Sequence, residues 1–215
     1  MKLPEYDAAV VFGIEPVMGP GGIWQLPDET IGCLDAASRL LAAGIVGIAI
    51  VSGGRAVRQR WLSSRSWHPN LECDMGRQHM IERRGCSEED VWVEPLSEDS
   101  PSNLDYTTRI AIANRLGRVV GIVPPARERH VDFLASLTIR PYCHFEIITT
   151  DYPNTREDFA ARERTLAIHQ FGFRDIVPGD LDALEARFFD GEPYPYFRYL
   201  DQARDHAQRS PITAN

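Results

Sequence analysis

The 215-residue chain lacks any run of roughly 18 or more consecutive uncharged apolar residues, the length a helix needs to cross a bilayer. Its opening stretch, MKLPEYDAAVVFG, has no cationic region followed by a long apolar segment and a small-residue cleavage site, so no secretory signal is expected. Positive charge is also in short supply: 23 Lys and Arg stand against 31 Asp and Glu, a net charge of -8. Such a surface repels a phosphate backbone, which argues against nucleic acid as a partner. Cysteine is scarce, and Cys33, Cys73, Cys86 and Cys143 form no C-x-x-C pair in a chain large enough to fold without disulfides. A cytoplasmic protein with reduced thiols and no membrane partner is expected. In HPNLECDMGRQHMIERRGC, His68, Cys73, His79 and Cys86 have the residue types of a zinc site. Their spacing fits no common zinc module, however, and the stretch reads as helix, so no metal is assigned.

Nucleotide fingerprints are missing as well. The first apolar segment is not followed by G-x-G-x-x-G, and G-x-x-x-x-G-K-[ST] occurs nowhere. In IVSGG the residue two places before Ser52 is not the glycine that a serine nucleophile's elbow requires, so Ser52 is expected to form hydrogen bonds and not to attack a substrate.

What the sequence does contain is apolar runs of strand length at 8–13, 46–53, 90–95, 118–124 and 145–150, with helical patterns between them. Runs that are apolar on both faces suit a parallel sheet covered on each side. The intervening segments agree. Residues 29–44 place Ile31, Leu34, Ala37 and Leu41 on one stripe and stop at Gly44; residues 74–85 open at a capping-type Asp74; residues 102–117 open with Ser102 and Asp105 in an S-x-x-D pattern. Strand and helix alternation predicts an α/β fold: a Rossmann-like open, mostly parallel sheet of about five strands with helices on both faces, plus a C-terminal helical extension. Residues 1–152 read as the α/β ligand-binding domain, and 153–215 as a helical and aromatic extension packed on the same domain. The aromatic segment YPYFRYL at 194–200 reads as a lid on the chain's own sheet in preference to an interface. A monomer or a homodimer is expected.

In such a sheet the ligand crevice lies outside the carboxyl ends of the strands. The loops there hold Gly13 and Glu15 after the first strand, Ser52, Gly53, Gly54 and Arg55 after the second, and Glu94, Ser97, Ser100 and Asn103 after the third. Arg127, Arg129 and His130 follow the fourth. A diglycine after a buried strand has two readings. Either it offers backbone N–H groups to a polar or anionic ligand, or it turns the chain. For the ligand's negative group, Arg127 and Arg129 are better placed than Arg55. Asp74, Glu94 and His130 are the acid–base candidates for a transferase or hydrolase reaction, and Asn103 would orient a ligand through its amide. The alternative is a catalytically silent binding or interaction protein with an aromatic C-terminal interface.

The order VVFG, RLLAAG, IAIVSGG, CDMGRQHM, VWVEPLSEDSPSN and then a strand with an arginine-bearing loop resembles the DUF218 domain family. The resemblance is closest to the soluble, bacterial YdcF-type branch. It spans roughly residues 7 to 140, and its most specific parts are V-S-G-G and E-x-x-S…S-x-N. It implies a Rossmann-like domain and binding of S-adenosylmethionine. Carried over, Gly13 matches the glycine closing strand one, and Ser52, Gly53 and Gly54 match the diglycine signature. Asp74 stands where the family has a glutamate beginning a helix. Glu94, Ser97 and Asn103 match the third strand exit, and Arg129 matches the arginine of H-x-x-R. The chain departs from the pattern at Leu104, in place of threonine, and at Ala126, in place of the motif's histidine; His130 is the neighbouring substitute.

Overall fold

The computed structural model describes residues 3–13, 16–54 and 71–189. The expectations at Glu15, Arg55, His68 and the aromatic segment 194–200 lie outside the described residues. From the N-terminus, β1 (Tyr6–Phe12) leads into a small antiparallel ribbon, β2 (Val17–Met18) and β3 (Trp24–Gln25), then α1 (Asp28–Ala42) and β4 (Val46–Ser52). Next come α2 (Glu72–Gln78), which runs on into a π-helical turn at His79–Arg83, β5 (Val91–Glu94) and α3 (Ser100–Ala113). The chain continues through β6 (Arg118–Val123), α4 (Glu128–Leu137), β7 (His144–Thr149), α5 (Arg156–Gly172) and α6 (Leu181–Phe189). Among the described residues no helix is long and apolar enough to cross a membrane.

The predicted α/β architecture is present. Five strands form one sheet in the order β5-β4-β1-β6-β7, with every neighbouring pair parallel. Side chains alternate across a strand, so each strand feeds two cores. Ala8, Val10 and Phe12 of β1 and Ile50 of β4 face Leu104 of α3 and Val131 and Leu134 of α4. Ala9 and Val11 of β1 and Val51 of β4 face Cys33, Leu34 and Ala37 of α1 and Cys73 of α2. Burial on both faces explains why these strands read as continuous apolar runs instead of alternating ones. The chain builds outward from β1 to β4 and β5 on one side, then returns to build β6 and β7 on the other. The strand order therefore reverses between β1 and β6, where an open α/β sheet leaves a crevice at its carboxyl ends.

The C-terminal helices belong to this same body. Helix α5 packs on α4, α6 packs on α3, and Phe173, Ile176 and Leu184 join the core on that face. Two helix starts differ from expectation. Helix α2 opens two residues before Asp74, at Glu72, with no side-chain cap. Helix α3 opens at Ser100, where Asp99 accepts from the Ser102 N–H in a capping box. Asp105, expected at that cap, is instead buried within α3, with Arg109 Nε 3.2 Å away. Arg109 also reaches Glu185 and Asp182 of α6 at 2.9 and 3.3 Å.

Burial pushes the Asp105 carboxyl up from its ordinary 3.8 to about 6, against the opposing pull of Arg109. The native state therefore holds this proton more tightly than the unfolded chain does. The contribution of Asp105 to stability is largest below its unfolded value and declines as pH rises from about 4 to about 6, by roughly 1–3 kcal/mol. Urea titrations across that range should show Asp105→Asn lacking the decline. Parallel stability curves for the two proteins would rule this account out.

Candidate functional site

The ends of β1, β4 and β5 are locked together by main-chain hydrogen bonds. The Gly13 N–H donates to Ser52 O at 2.6 Å, the Gly53 N–H to Glu94 O at 3.0 Å, and the Gly54 N–H to Ser97 O at 2.8 Å. The diglycine carbonyls are engaged too: Gly54 O accepts from the Glu72 N–H and Gly53 O from the Cys73 N–H. These carbonyls satisfy the first N–H groups of α2, which explains how that helix starts without a capping side chain. The diglycine N–H groups are thus spent inside the fold, and of the two readings the one that offers them to a ligand does not hold.

Close approach is what requires the glycines. Gly53 has φ +149°, and a Cβ there would lie 2.8 Å from Glu72 Oε2 and 3.2 Å from the Gly13 Cα. A Cβ on Gly54 would meet the carbonyl oxygens of Pro95 and Ser97, the latter at 2.6 Å. A Cβ on Gly13 would sit 2.5 Å from Glu72 Oε2. The glycines thereby make room for the Glu72 carboxylate at the floor of the crevice.

Glu94 is turned inward. It is 1% exposed; Oε2 accepts from the Ser52 hydroxyl at 2.7 Å, and Oε1 accepts from the N–H groups of Leu96 and Ser97 at 2.6 and 3.0 Å. A carboxylate this fully engaged ties the loop after β5 to β4, so the structure gives Glu94 a fastening role and not an acid–base one. Ser52, fully buried, serves the same fastening.

Above this floor lies a cavity of about 160 Å³ lined by Gly13, Gly53, Glu72, Ser97, Glu98, Asp99, Ser100, Asn103, Arg127 and Arg162. The structure thus brings together Gly13, Gly53, Ser97, Asn103 and Arg127 of the expected residues. Arg127 comes from a 3-10 turn, Pro125–Arg127, that follows β6. It is only 4% exposed; one Nη donates to Ser100 Oγ at 3.3 Å, while Nε has no partner. Among the described residues no carboxylate forms an ion pair with it. Burial, reinforced by the nearby charge of Arg162, lowers its pKa from 12.5 to about 10, so it stays a cation at neutral pH. Ser97 Oγ and Asn103 Oδ1, both buried, also lack partners. Unsatisfied buried polar atoms are rare in folded proteins, and several around one cavity mark a place where a polar guest belongs.

The remaining expected residues lie elsewhere. Asp74 is exposed on α2 and does not line the cavity; Glu72, at the true helix start, holds the position expected for it. Arg129 is 73% exposed and pairs with Glu163 at 2.7 Å. His130 is 1% exposed in the core, with Nε2 2.5 Å from Nδ1 of His169. His130 therefore does not replace the histidine missing at Ala126, itself buried. His79 bonds Asp35 at 2.8 Å and Cys73 is fully buried in the core, its thiol pushed up to about 12 by burial. Sequence reading missed Arg162, which α5 delivers to the cavity with a carboxylate oxygen of Glu29 3.8 Å away. Nothing local distinguishes it from the other arginines of that helix. Comparison with protein-family models and with curated proteins returns no match.

Two consequences can be measured. Gly54→Ala should cost about 1–3 kcal/mol in urea unfolding, because two carbonyls must move to admit one methyl. A change within error would mean that this contact yields freely. For the histidine pair, burial lowers His130 to about 2, helped by the charge of His169, and lowers His169 to about 3. The unfolded chain takes up protons near pH 6.5 and the native state does not, so the pair's contribution is complete above about 6.5 and is lost as pH falls below it. Ring NMR signals of both residues should keep neutral shifts down to about pH 5 in the folded protein. Either ring titrating near its free value would disprove the buried neutral pair.

Proposed function

We propose that the protein binds a small polar ligand through an anionic group held by Arg127, in the crevice where the strand order reverses. One observation carries this reading: a buried arginine with no carboxylate partner among the described residues faces a cavity lined by further unpaired polar atoms. Burying an uncompensated guanidinium is costly, and a bound anion supplies the compensation. A planar guanidinium fork also suits a carboxylate or phosphate held by two parallel hydrogen bonds. The hydroxyls of Ser97 and Ser100 and the second guanidinium, Arg162, are at hand to complete the anion's shell.

For the ligand's identity the DUF218 resemblance supplies the direction, a nucleoside-bearing molecule of the S-adenosylmethionine type. The described residues enclose about 160 Å³, less than the roughly 300–1,000 Å³ of a site that buries a drug-sized ligand. They would hold the charged head, with the remainder of the ligand reaching outside. If the bound molecule is also transformed, Glu72 takes the acid–base role, because it is buried at the cavity floor whereas Asp74, Glu94 and His130 do not line it.

Isothermal titration with S-adenosylmethionine, a nucleoside monophosphate and orthophosphate tests the site. Binding of at least one should weaken about tenfold or more in Arg127→Met, since a charged hydrogen bond to an anion contributes roughly 1.5–3 kcal/mol. Arg129→Met and Asp74→Asn, at exposed positions, should leave it unchanged. Undiminished binding in Arg127→Met would place the site elsewhere.

A further inference from the structure

The two guanidinium groups of the cavity are held differently. Arg127 is buried in the 3-10 turn after β6, whereas the Arg162 side chain, reaching in from α5, is 31% exposed. Among the described residues Arg162 makes no hydrogen bond, and its one ion pair is with Glu29, Nη2 to Oε1 at 3.8 Å. That separation lies within Coulombic range and beyond hydrogen-bonding distance. Asp158, one turn earlier on α5 and also in the field of Arg162, accepts instead from the N–H and hydroxyl of Thr155 at the helix cap. Glu29 is the second residue of α1 and does not line the cavity; its Oε1 is buried, with no hydrogen-bond partner among the described residues. A carboxylate oxygen so placed is held to Arg162 by charge alone. Its field also favours the charge on Arg127, which that of Arg162 opposes.

We infer that Glu29 is a built-in counterion of this arginine pair, an internal competitor from which an arriving anion takes Arg162. This rests on the anion-holding role of Arg127 proposed above and adds how the site is regulated. In the empty site Glu29 offsets the repulsion between two guanidinium groups. Once an anion is bound, the same carboxylate repels it, and more strongly the greater the anion's charge. Since no hydrogen bond joins Glu29 to Arg162, the guanidinium turns to the anion without breaking one, and gains charge-assisted bonds there. Glu29 thus stabilises the empty site relative to the filled one, and sets affinity and charge preference together.

Isothermal titration at fixed ionic strength and about pH 8, with the dianions sulfate and a nucleoside monophosphate and the monoanion acetate, tests the assignment. Glu29→Gln keeps the side chain's shape and removes its charge. It should tighten binding of at least one dianion about threefold to tenfold, tighten acetate by a smaller factor, and lower the melting temperature of the ligand-free protein. In an Arg162→Met background the gain should shrink to less than about twofold, because the exchange partner is gone. Asp28→Asn removes an equal charge from an exposed neighbour at the same helix start, and should change affinity by less than about twofold. An equal gain from Asp28→Asn, or an undiminished gain without Arg162, would overturn the competitor role. So would unchanged or weaker binding in Glu29→Gln alongside binding that Arg127→Met abolishes, a result that leaves the anion site standing. Absence of Arg127-dependent binding of all three anions would overturn both.

Discussion

The arrangement of this molecule depends on the interlock at the carboxyl ends of β1, β4 and β5. Each of the four N–H and C=O groups of Gly53 and Gly54 is committed: the N–H groups to the exit of β5, the carbonyls to the start of α2. The Glu94 carboxylate ties the same loop from the other side, with three hydrogen bonds from Ser52, Leu96 and Ser97. Singly, such bonds contribute about 1 kcal/mol each, but their donors and acceptors are buried, and stranding any of them costs more than the bond is worth. The interlock also settles where Glu72 goes. Because α2 takes its first hydrogen bonds from the diglycine, its leading side chain falls on the two positions, Gly13 and Gly53, that have none.

Around this rigid floor the electrostatics are unbalanced in a particular way. Several charged groups elsewhere are paired at the surface, as Arg129 is with Glu163 and Arg140 with Asp132. Arg127 is the reverse case, deeply buried and opposed by a second guanidinium. Its neighbours of opposite sign, Glu29 and Glu72, act on it only through space. A fold held to stability alone gains from an apolar side chain at such a point, since desolvating a lone charge is costly. Retention of a cation there fits a site that is completed by what it binds.

Much of this fold is legible in the sequence because burial on both faces writes long apolar runs, and every main strand falls within two residues of such a run. Strand order is not legible in that way, since it depends on pairings between segments as far apart as β1 and β6. The errors at the site have a common physical origin in non-local partners. A local search for caps finds Asp74 and Ser102, but the carbonyls that start α2 come from Gly53 and Gly54, far back in the chain, and Asp99 outcompetes Ser102 from one residue outside the helix. Arg127 and Arg129 stand two residues apart in an unremarkable basic stretch. The 3-10 turn after β6 directs one inward and leaves the other in solvent, and turn geometry of that kind has no signature in composition. The diglycine is conspicuous in the sequence, but sequence leaves two readings of it open: glycine permits close approach, and only the structure identifies what approaches.

The segment after β7 bears on the site as well as on the core. Phe173 and Leu184 fill the face of the sheet opposite α1, and His169 meets His130 beneath the turn that carries Arg127. The charges of Arg127 and Arg162 both bear on the His130 ring and disfavour its protonation, so the neutral pair and the buried cation reinforce one another. If that imidazole pair became charged, it would add a third positive group beside a guanidinium that has no ion-pair partner among the described residues. Helix α5 thus does two things at once: its buried side holds the histidine pair neutral, and its Arg162 lines the cavity. A change in how α5 seats on α4 would alter the core and the site's charge together. The composition boundary near residue 152 therefore separates two textures of sequence, while the physical unit that positions Arg127 extends across it.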